Sequence, residues 1–182
     1  MPQNVSEVIS GFGTLYIAPE LTVAIPTLTG NASDFAAFDT PGYTEDGVEA
    51  DYSSTEKEIR VDEESFPVDV LIDKETASFN VKLAQTTMHN LAYAMTGASI
   101  NVALDTVTFG GKAKPDIFRV AFMGPSPATN KVRQILFFRC YAKSALKLQY
   151  KRNGQVMYQC QFMALADSSQ PAASRAGVYQ DF

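Results

Sequence analysis

Residues from which enzymes and metal sites are usually built are scarce in this chain of 182 residues. It contains one histidine, His89, and two cysteines, Cys140 and Cys160. A lone histidine has no second histidine with which to share a metal ion, and it acts as a base only beside a suitable partner. We therefore expect no catalytic residue, no metal site and no cofactor, and we interpret His89 as a surface or helix-packing residue.

Nucleotide-binding glycine motifs are also missing. The segment 11–13 (GFG) precedes a predicted strand instead of opening a helix, and the segment 110–112 (GGK) lacks the spacing and the hydroxyl residue of a phosphate loop. Acidic pairs such as Asp62-Glu63 match no calcium loop. These patterns are typical of turns and solvated faces.

Long apolar runs are absent as well. No stretch approaches the roughly 20 apolar residues that cross a bilayer, so we expect no membrane partner. The first ten residues, MPQNVSEVIS, have no basic segment followed by an apolar one. We expect no secretory signal and a protein that folds in a reducing cytoplasm. With 46% hydrophobic and 19% charged residues, the chain has the composition of one globular domain over 1–182.

Charge is divided unevenly along the chain. Between Glu45 and Glu75, twelve acidic and three basic residues give a local net charge of −9, whereas between Lys112 and Arg152 ten basic residues and one acidic residue give +9. Opposed surfaces of this kind steer copies of a protein together. The candidate assembly residues are, on an acidic face, Glu56, Glu58, Asp62, Glu63 and Glu64, and, on a basic face, Arg133, Arg139, Lys143, Lys147 and Lys151. The alternative is that the two blocks neutralise each other within one sheet.

The clearest strand pattern lies near the C-terminus. Apolar residues occupy the even positions Leu136, Phe138, Cys140, Ala142, Leu146, Leu148 and Tyr150, and later Val156, Tyr158, Cys160, Phe162 and Ala164. A three-residue loop over 152–154 keeps both apolar sets on one face and pairs Tyr150 with Val156. This register places Cys140 opposite Ala166 and Cys160 opposite Leu146, so the thiols are about 20 Å apart at 3.3 Å per residue. We predict two buried, reduced thiols.

One short helix is predicted between the strands. Met88, Leu91, Ala92 and Met95 have helical spacing, and we predict that they form its core-packing face. Thr86 or Thr87 can cap the start and Gly97 can end it. The run 135–138 (ILFF) is apolar on both strand faces, and this helix is expected to cover its second face.

Further strands are predicted over 13–18, 68–72, 77–84 and 117–123. The apolar phase changes between 68–72 and 77–84, which indicates a turn or bulge at 73–75. The charged segment 45–66 suits a long exposed hairpin or loop. Segments 20–42 and 124–130 are expected to be surface connections, and 1–10 and 167–182 to be terminal arms.

Several segments in this order resemble the major tail tube proteins of long-tailed bacteriophages. The similar stretches are TPGYTEDGV over 40–48, EIRVD over 58–62, PVDV over 67–70, DKETASFNVKL over 73–83 and QTTMHNLAYAM over 85–95. The resemblance covers about residues 11–97, and the long C-terminal strands up to Ala166 support it.

The resemblance implies a mostly β fold, an antiparallel β-sandwich or barrel with one short flanking α-helix. It further implies a non-enzymatic virion protein that self-assembles into hexameric rings, which stack into the tail tube. DNA would pass through the lumen without sequence-specific binding, and tape-measure and tail-terminator proteins would be partners. The location would be the virion tail, assembled in the host cytoplasm. Because fixed cations would retain phosphates, we expect acidic or neutral side chains along the channel.

Two other classes of protein remain open. Another β-rich virion component, such as a tail terminator or a head decoration protein, would share the fold but not the polymerisation. A ligand-binding β-sandwich would need an apolar pocket with aromatic walls.

Overall fold

The computed structural model describes residues 12–19, 23–126, 131–143 and 155–182. Within these ranges the chain forms nine strands and one α-helix. The strands are β1 Thr14–Pro19, β2 Thr44–Ile59, β3 Asp69–Leu83, β4 Ser99–Asn101, β5 Thr106–Thr108, β6 Ile117–Pro125, β7 Val132–Ala142, β8 Tyr158–Ala164 and β9 Gly177–Asp181. The helix, α1, spans Met88–Ala94, and short 3-10 turns occupy Ala32–Phe35, Val102–Leu104 and Ala172–Ser174.

Seven of these strands form one antiparallel sheet. Six follow the order β1-β6-β7-β8-β3-β2, and β9 pairs with the first half of β7. Strands β4 and β5 form a separate two-stranded hairpin. The predicted fold class, a mostly antiparallel β-sandwich with one short helix, is confirmed.

The sheet bends until β3 packs over β7. The rings of Phe79 and Phe137 contact each other at a centroid distance of 4.4 Å, although β8 lies between their strands. The main core fills the space that this bend encloses. Its buried members from the strands include Leu15, Ile17, Phe79, Leu83, Phe118, Val120, Ile135, Phe137, Tyr158 and Phe162.

A second core covers the opposite face of β1, β6 and β7. It joins Leu136 and Phe138 of β7 to Phe35 and Phe38, which are 1% and 7% exposed. The prediction that α1 covers this face is wrong, because the segment around the 3-10 turn at Ala32–Phe35 does so. The prediction that 20–42 is only a surface connection is wrong for the same reason.

A bulge in β7 reverses the side-chain phase of that strand. Phe118 of β6 pairs with Cys140, but Val120 pairs with Phe137, so β7 has one extra residue in this interval. Leu136 and Phe138 therefore face the second core, whereas Cys140 and Ala142 face the main core. The prediction that all even positions of this strand share one face is wrong beyond Phe138.

The register of β7 with β8 also differs from the prediction. Cys140 lies opposite Ala164 and Ala142 opposite Phe162, a shift of two residues that preserves the face of each side chain. Cys160 of β8 pairs with Val81 of β3. Both thiols are buried and free, as predicted. The predicted loop at 152–154 and the partners Leu146, Leu148 and Tyr150 lie outside the described residues.

Helix α1 is present, but its buried face is not the predicted one. Thr87 caps its start by accepting a hydrogen bond from the backbone N–H of Asn90. The buried side chains are Asn90, Tyr93 and Ala94. Among the predicted core residues, Met88 is exposed, Leu91 packs partly against the main core, and Ala92 and Met95 are half-buried. Asn90 turns inward because its amide donates to the carbonyls of Pro41 and Gln85.

The C-terminal segment is not a free arm. Strand β9 pairs with β7 from Arg133–Asp181 to Phe137–Gly177, and Val178 packs against the second core. A side chain at Gly177 would place its Cβ 2.4 Å from the carbonyl oxygen of Leu136, so this close pairing requires glycine. The predicted arm at 167–182 is therefore wrong, whereas the predicted arm at 1–10 lies outside the described residues.

Candidate functional site

The most unusual surface is a long hairpin formed by the distal parts of β2 and β3. The two strands pair from Thr44–Leu83 to Ile59–Asp69. Residues 51–76, here called the hairpin arm, are all exposed except Pro67, which is half-buried. From Tyr52 to Ile59 the arm extends about 23 Å at 3.3 Å per residue. The predicted exposed hairpin over 45–66 belongs to this element.

A β-bulge interrupts the arm at Asp73. Thr55 pairs with Lys74, but the next residue, Glu56, pairs with Ile72. The extra residue reverses the phase of β3, which accounts for the change of apolar phase in the sequence. Of the two predicted interpretations, turn or bulge, the structure selects the bulge, and it joins the predicted strands 68–72 and 77–84 into one.

Large apolar side chains on the hairpin arm are exposed to solvent. Phe66 is 78% exposed and Ile72 is 62% exposed. The other exposed apolar residues of the arm are Tyr52, Ile59, Val61, Val68, Val70 and Leu71. Clusters of exposed apolar residues mark interaction surfaces in soluble proteins. A two-stranded ribbon without a covering layer also has little stability of its own.

Apolar and acidic residues share one face of the arm. Alternation along β2 and the register with β3 place Tyr52, Val70 and Ile72 on the same side as Glu56 and Glu58. This side continues from Ala50 and Val48, which pack against the main core. The face of β2 that packs on the core thus continues along the arm, where no other part of the described chain covers it.

Cross-strand hydrogen bonds hold the base of the arm together. The Tyr52 hydroxyl donates to Glu75 at 2.5 Å, and the hydroxyl oxygens of Ser53 and Thr76 lie 2.6 Å apart. The bond to the Glu75 carboxylate raises the pKa of Tyr52. These contacts keep the two strands in register where the arm leaves the core.

The structure brings the five predicted acidic residues together on the arm. Glu56 and Glu58 lie on β2, and Asp62, Glu63 and Glu64 lie in the turn that joins β2 to β3. All five are exposed. The arm has nine acidic and three basic residues, a net charge of −6, so repulsion between arms is expected to be strong at low salt.

The three predicted basic residues that the structure describes, Arg133, Arg139 and Lys143, are spread along β7 and just beyond it. Arg133 lies at the start of β7 and Lys143 just after its end, about 30 Å away at 3.3 Å per residue. Arg133 is engaged by Asp181 of β9, with N–O distances of 2.7 and 2.8 Å. Arg139 lies at the β7 bulge and donates to the carbonyl of Ala166. Lys147 and Lys151 lie outside the described residues.

Four ion pairs occur among the described residues. They join Arg60 to Glu58, Lys82 to Asp46, Lys112 to Asp116 and Arg133 to Asp181. None of these four pairs connects the acidic segment 45–75 to the basic segment 112–152. The alternative in which the two blocks neutralise each other within one chain receives no support from these contacts.

An apolar cleft lies beside α1, and no pattern in the sequence indicates it. It has a volume of about 530 Å³, and its walls include Tyr93, Ile100, Ile117 and Phe118. The Tyr93 hydroxyl donates to Asp39 at 2.6 Å, and burial, together with this bond, raises the pKa of Tyr93. The buried side of α1 has its own local signal in the sequence, because Tyr93 and Ala94 follow Asn90 at helical spacing.

No group of three or more potential metal ligands occurs among the described residues. In the same ranges, no helix has the length and apolar character needed to span a bilayer. His89 is exposed on α1, 6.4 Å from the ring of Tyr93.

No protein-family model matches the chain, and no curated protein sequence matches it significantly.

Proposed function

We propose that this chain is a structural virion protein that assembles into hexameric rings, which stack into the tail tube of a bacteriophage. DNA passes through the lumen of that tube without sequence-specific binding. The observation that carries the proposal is the hairpin arm, because its apolar side chains have no covering layer in the described chain.

Two further features support self-assembly. Strand β2 pairs only with β3 in the described sheet, so it presents a second edge of unpaired backbone groups over Thr44–Ile59. Long open edges of this kind pair readily with strands of other chains. The order of sequence segments, which resembles that of tail tube proteins, supports the particular assembly. Tape-measure and tail-terminator proteins would then be its partners in the virion tail.

Electron microscopy of the concentrated, purified protein tests this proposal. Six-fold rings and tubes are the expected particles. A single capped ring that never polymerises would favour a tail terminator, and a monomer at every concentration would contradict self-assembly.

A variant without the arm provides the matched control. Ser53 and Thr76 are directly paired, so replacing residues 54–75 by Asn-Gly joins them through a two-residue turn that suits antiparallel strands. This variant should keep the circular-dichroism spectrum of a folded β-protein and remain monomeric. Tubes formed by the armless variant would contradict the role assigned to the arm.

A further inference from the structure

The tip of the hairpin arm and the cleft beside α1 lie at opposite ends of the molecule. Strand β3 runs from Asp69 at the tip to Leu83, and α1 follows at Met88. If the arm tip of one copy contacts the cleft of another, the two copies are joined head to tail. Such a heterologous contact can repeat and build an open stack.

We propose that the arm tip of one copy inserts Phe66 into the apolar cleft beside α1 of the next copy. This inference rests on the proposed function and names the surface of the neighbouring subunit that accepts the arm. Each copy then donates one tip and accepts one tip, so the contact propagates along a stack.

The tip suits insertion into a cleft. Phe66 is 78% exposed, the highest value among the apolar side chains of the arm. The adjacent Pro67 restricts the backbone beside it, so less conformational freedom is lost on docking. Three acidic residues, Asp62, Glu63 and Glu64, precede it in the same turn.

The cleft suits an aromatic side chain from outside. Its volume of about 530 Å³ lies within the range of clefts that hold small apolar groups. Ala92, Ile100 and Pro115 contribute apolar walls. The two carboxylates at its edge are already engaged, Asp39 by the Tyr93 hydroxyl and Asp116 by Lys112.

Lys114 and Lys143 lie near this end of the molecule, whereas Lys112 is engaged by Asp116. Lys114 precedes β6, whose first residue Ile117 pairs with Tyr141 near the end of β7. Lys143 follows β7 and is exposed. Part of the basic segment thus lies where a head-to-tail neighbour would bring its acidic turn, so charge favours the same contact as the apolar side chain.

Two other clefts fit the tip less well. The cleft between β3 and β9, lined by Tyr52 and Ala173, lies at the base of the arm itself, so a head-to-tail neighbour does not bring its tip there. The groove beside β2 is lined by Glu45, Asp46 and Glu49, which would repel an acidic turn.

Cysteine cross-linking tests the contact between copies. One preparation has Phe66→Cys and the other Ala92→Cys, and the two are mixed, assembled and oxidised. The native thiols of Cys140 and Cys160 are buried, so a dimer on a denaturing gel should require both new cysteines. A mixture of Phe66→Cys with Ala173→Cys is the matched control, and it should yield no dimer above background.

Assembly measurements complete the test. Ala92→Phe, which fills the cleft, and Phe66→Ala, which empties it, should each raise the concentration needed for assembly about tenfold or more. Three results would overturn the assignment of this cleft as the acceptor, while leaving tube formation intact. They are a cross-linked dimer in the control mixture, a cross-linked dimer from the Phe66→Cys preparation alone, and unchanged assembly of both variants. If the unmodified protein forms no assembly at all, the proposed function fails and this inference fails with it.

Discussion

The rings of Phe79 of β3 and Phe137 of β7 pack against each other at a tilt, with their centroids 4.4 Å apart, although β8 separates their strands in the sheet. Both rings are buried. Their contact closes the two layers of the sandwich. The hairpin arm lies just beyond this contact, because its last residue on β3 is Thr76 and Ala77 is already buried. The same contact therefore completes the core and sets the point from which the arm projects.

Replacing Phe79 by alanine should destabilise the fold by about 3–5 kcal/mol, the usual cost of removing a buried phenylalanine ring. Urea denaturation of the monomeric armless variant measures the change. Phe66→Ala removes the same atoms from an exposed position and, measured with the arm present under non-assembling conditions, should alter the free energy of unfolding by less than about 0.5 kcal/mol. Equal losses at the two positions would contradict the assigned core.

The apolar face of the arm should be needed for assembly but not for folding. Val70→Thr with Ile72→Thr keeps strand propensity while removing exposed apolar groups. Sedimentation should show fewer large particles, with an unchanged melting temperature for the monomer. Leu71→Thr, on the opposite face of β3, is the matched control, and a larger effect at that position would assign docking to the other face.

Charge reversal tests electrostatic attraction between copies. Lysines at Glu56, Glu58 and Asp62 should suppress stacking, most strongly at low salt. Acidic residues introduced at Lys143, Lys147 and Lys151 in the same chain should restore part of it. Light scattering across a salt series measures both effects, and normal polymerisation of the first variant would exclude attraction between the two blocks.

Acid should loosen β9. The Arg133 guanidinium, through its hydrogen bonds to the carboxylate, holds the pKa of Asp181 below its usual value. The stabilisation of β9 by this ion pair is complete above the unfolded-state pKa of an aspartate, about 3.9. It is lost as the pH falls through the lower pKa that Asp181 has in the folded state.

Hydrogen exchange at the amides of Gly177–Asp181 measures this effect. Asp181→Asn should speed exchange at neutral pH, and the difference from the unmodified protein should narrow below about pH 4. A difference that stays constant down to about pH 2, well below the unfolded-state pKa, would mean that the carboxylate charge does not hold the strand.

The two cysteines should be unreactive in the folded protein. Burial raises the pKa of Cys160 to about 12 and also raises that of Cys140, so the nucleophilic thiolate is scarce at about pH 8. Mass spectrometry after brief iodoacetamide treatment should find neither thiol modified in buffer and both modified in urea. Rapid labelling without denaturant would contradict the packing of β7 and β8.

Local patterns in the sequence predicted much of the fold. Alternating apolar residues located β1, β3, β6 and parts of β7 and β8, and helical spacing located α1. The charged hairpin was also foreseen, because its polar composition does not suit a buried strand. The prediction of the buried side of the helix was wrong. Asn90 faces inward because it donates hydrogen bonds to the carbonyls of Pro41 and Gln85, and Pro41 is distant in sequence.

The sequence alone determined the division of charge, the scarcity of catalytic residue types and the strand-rich character of the chain, because each depends on composition or on neighbours two to four positions apart. Tertiary structure decided the phase reversal in β7, the second core around Phe35, the pairing of β9 and the cleft beside α1. These features depend on contacts between residues far apart along the chain, and a single bulge turns every following side chain to the other face.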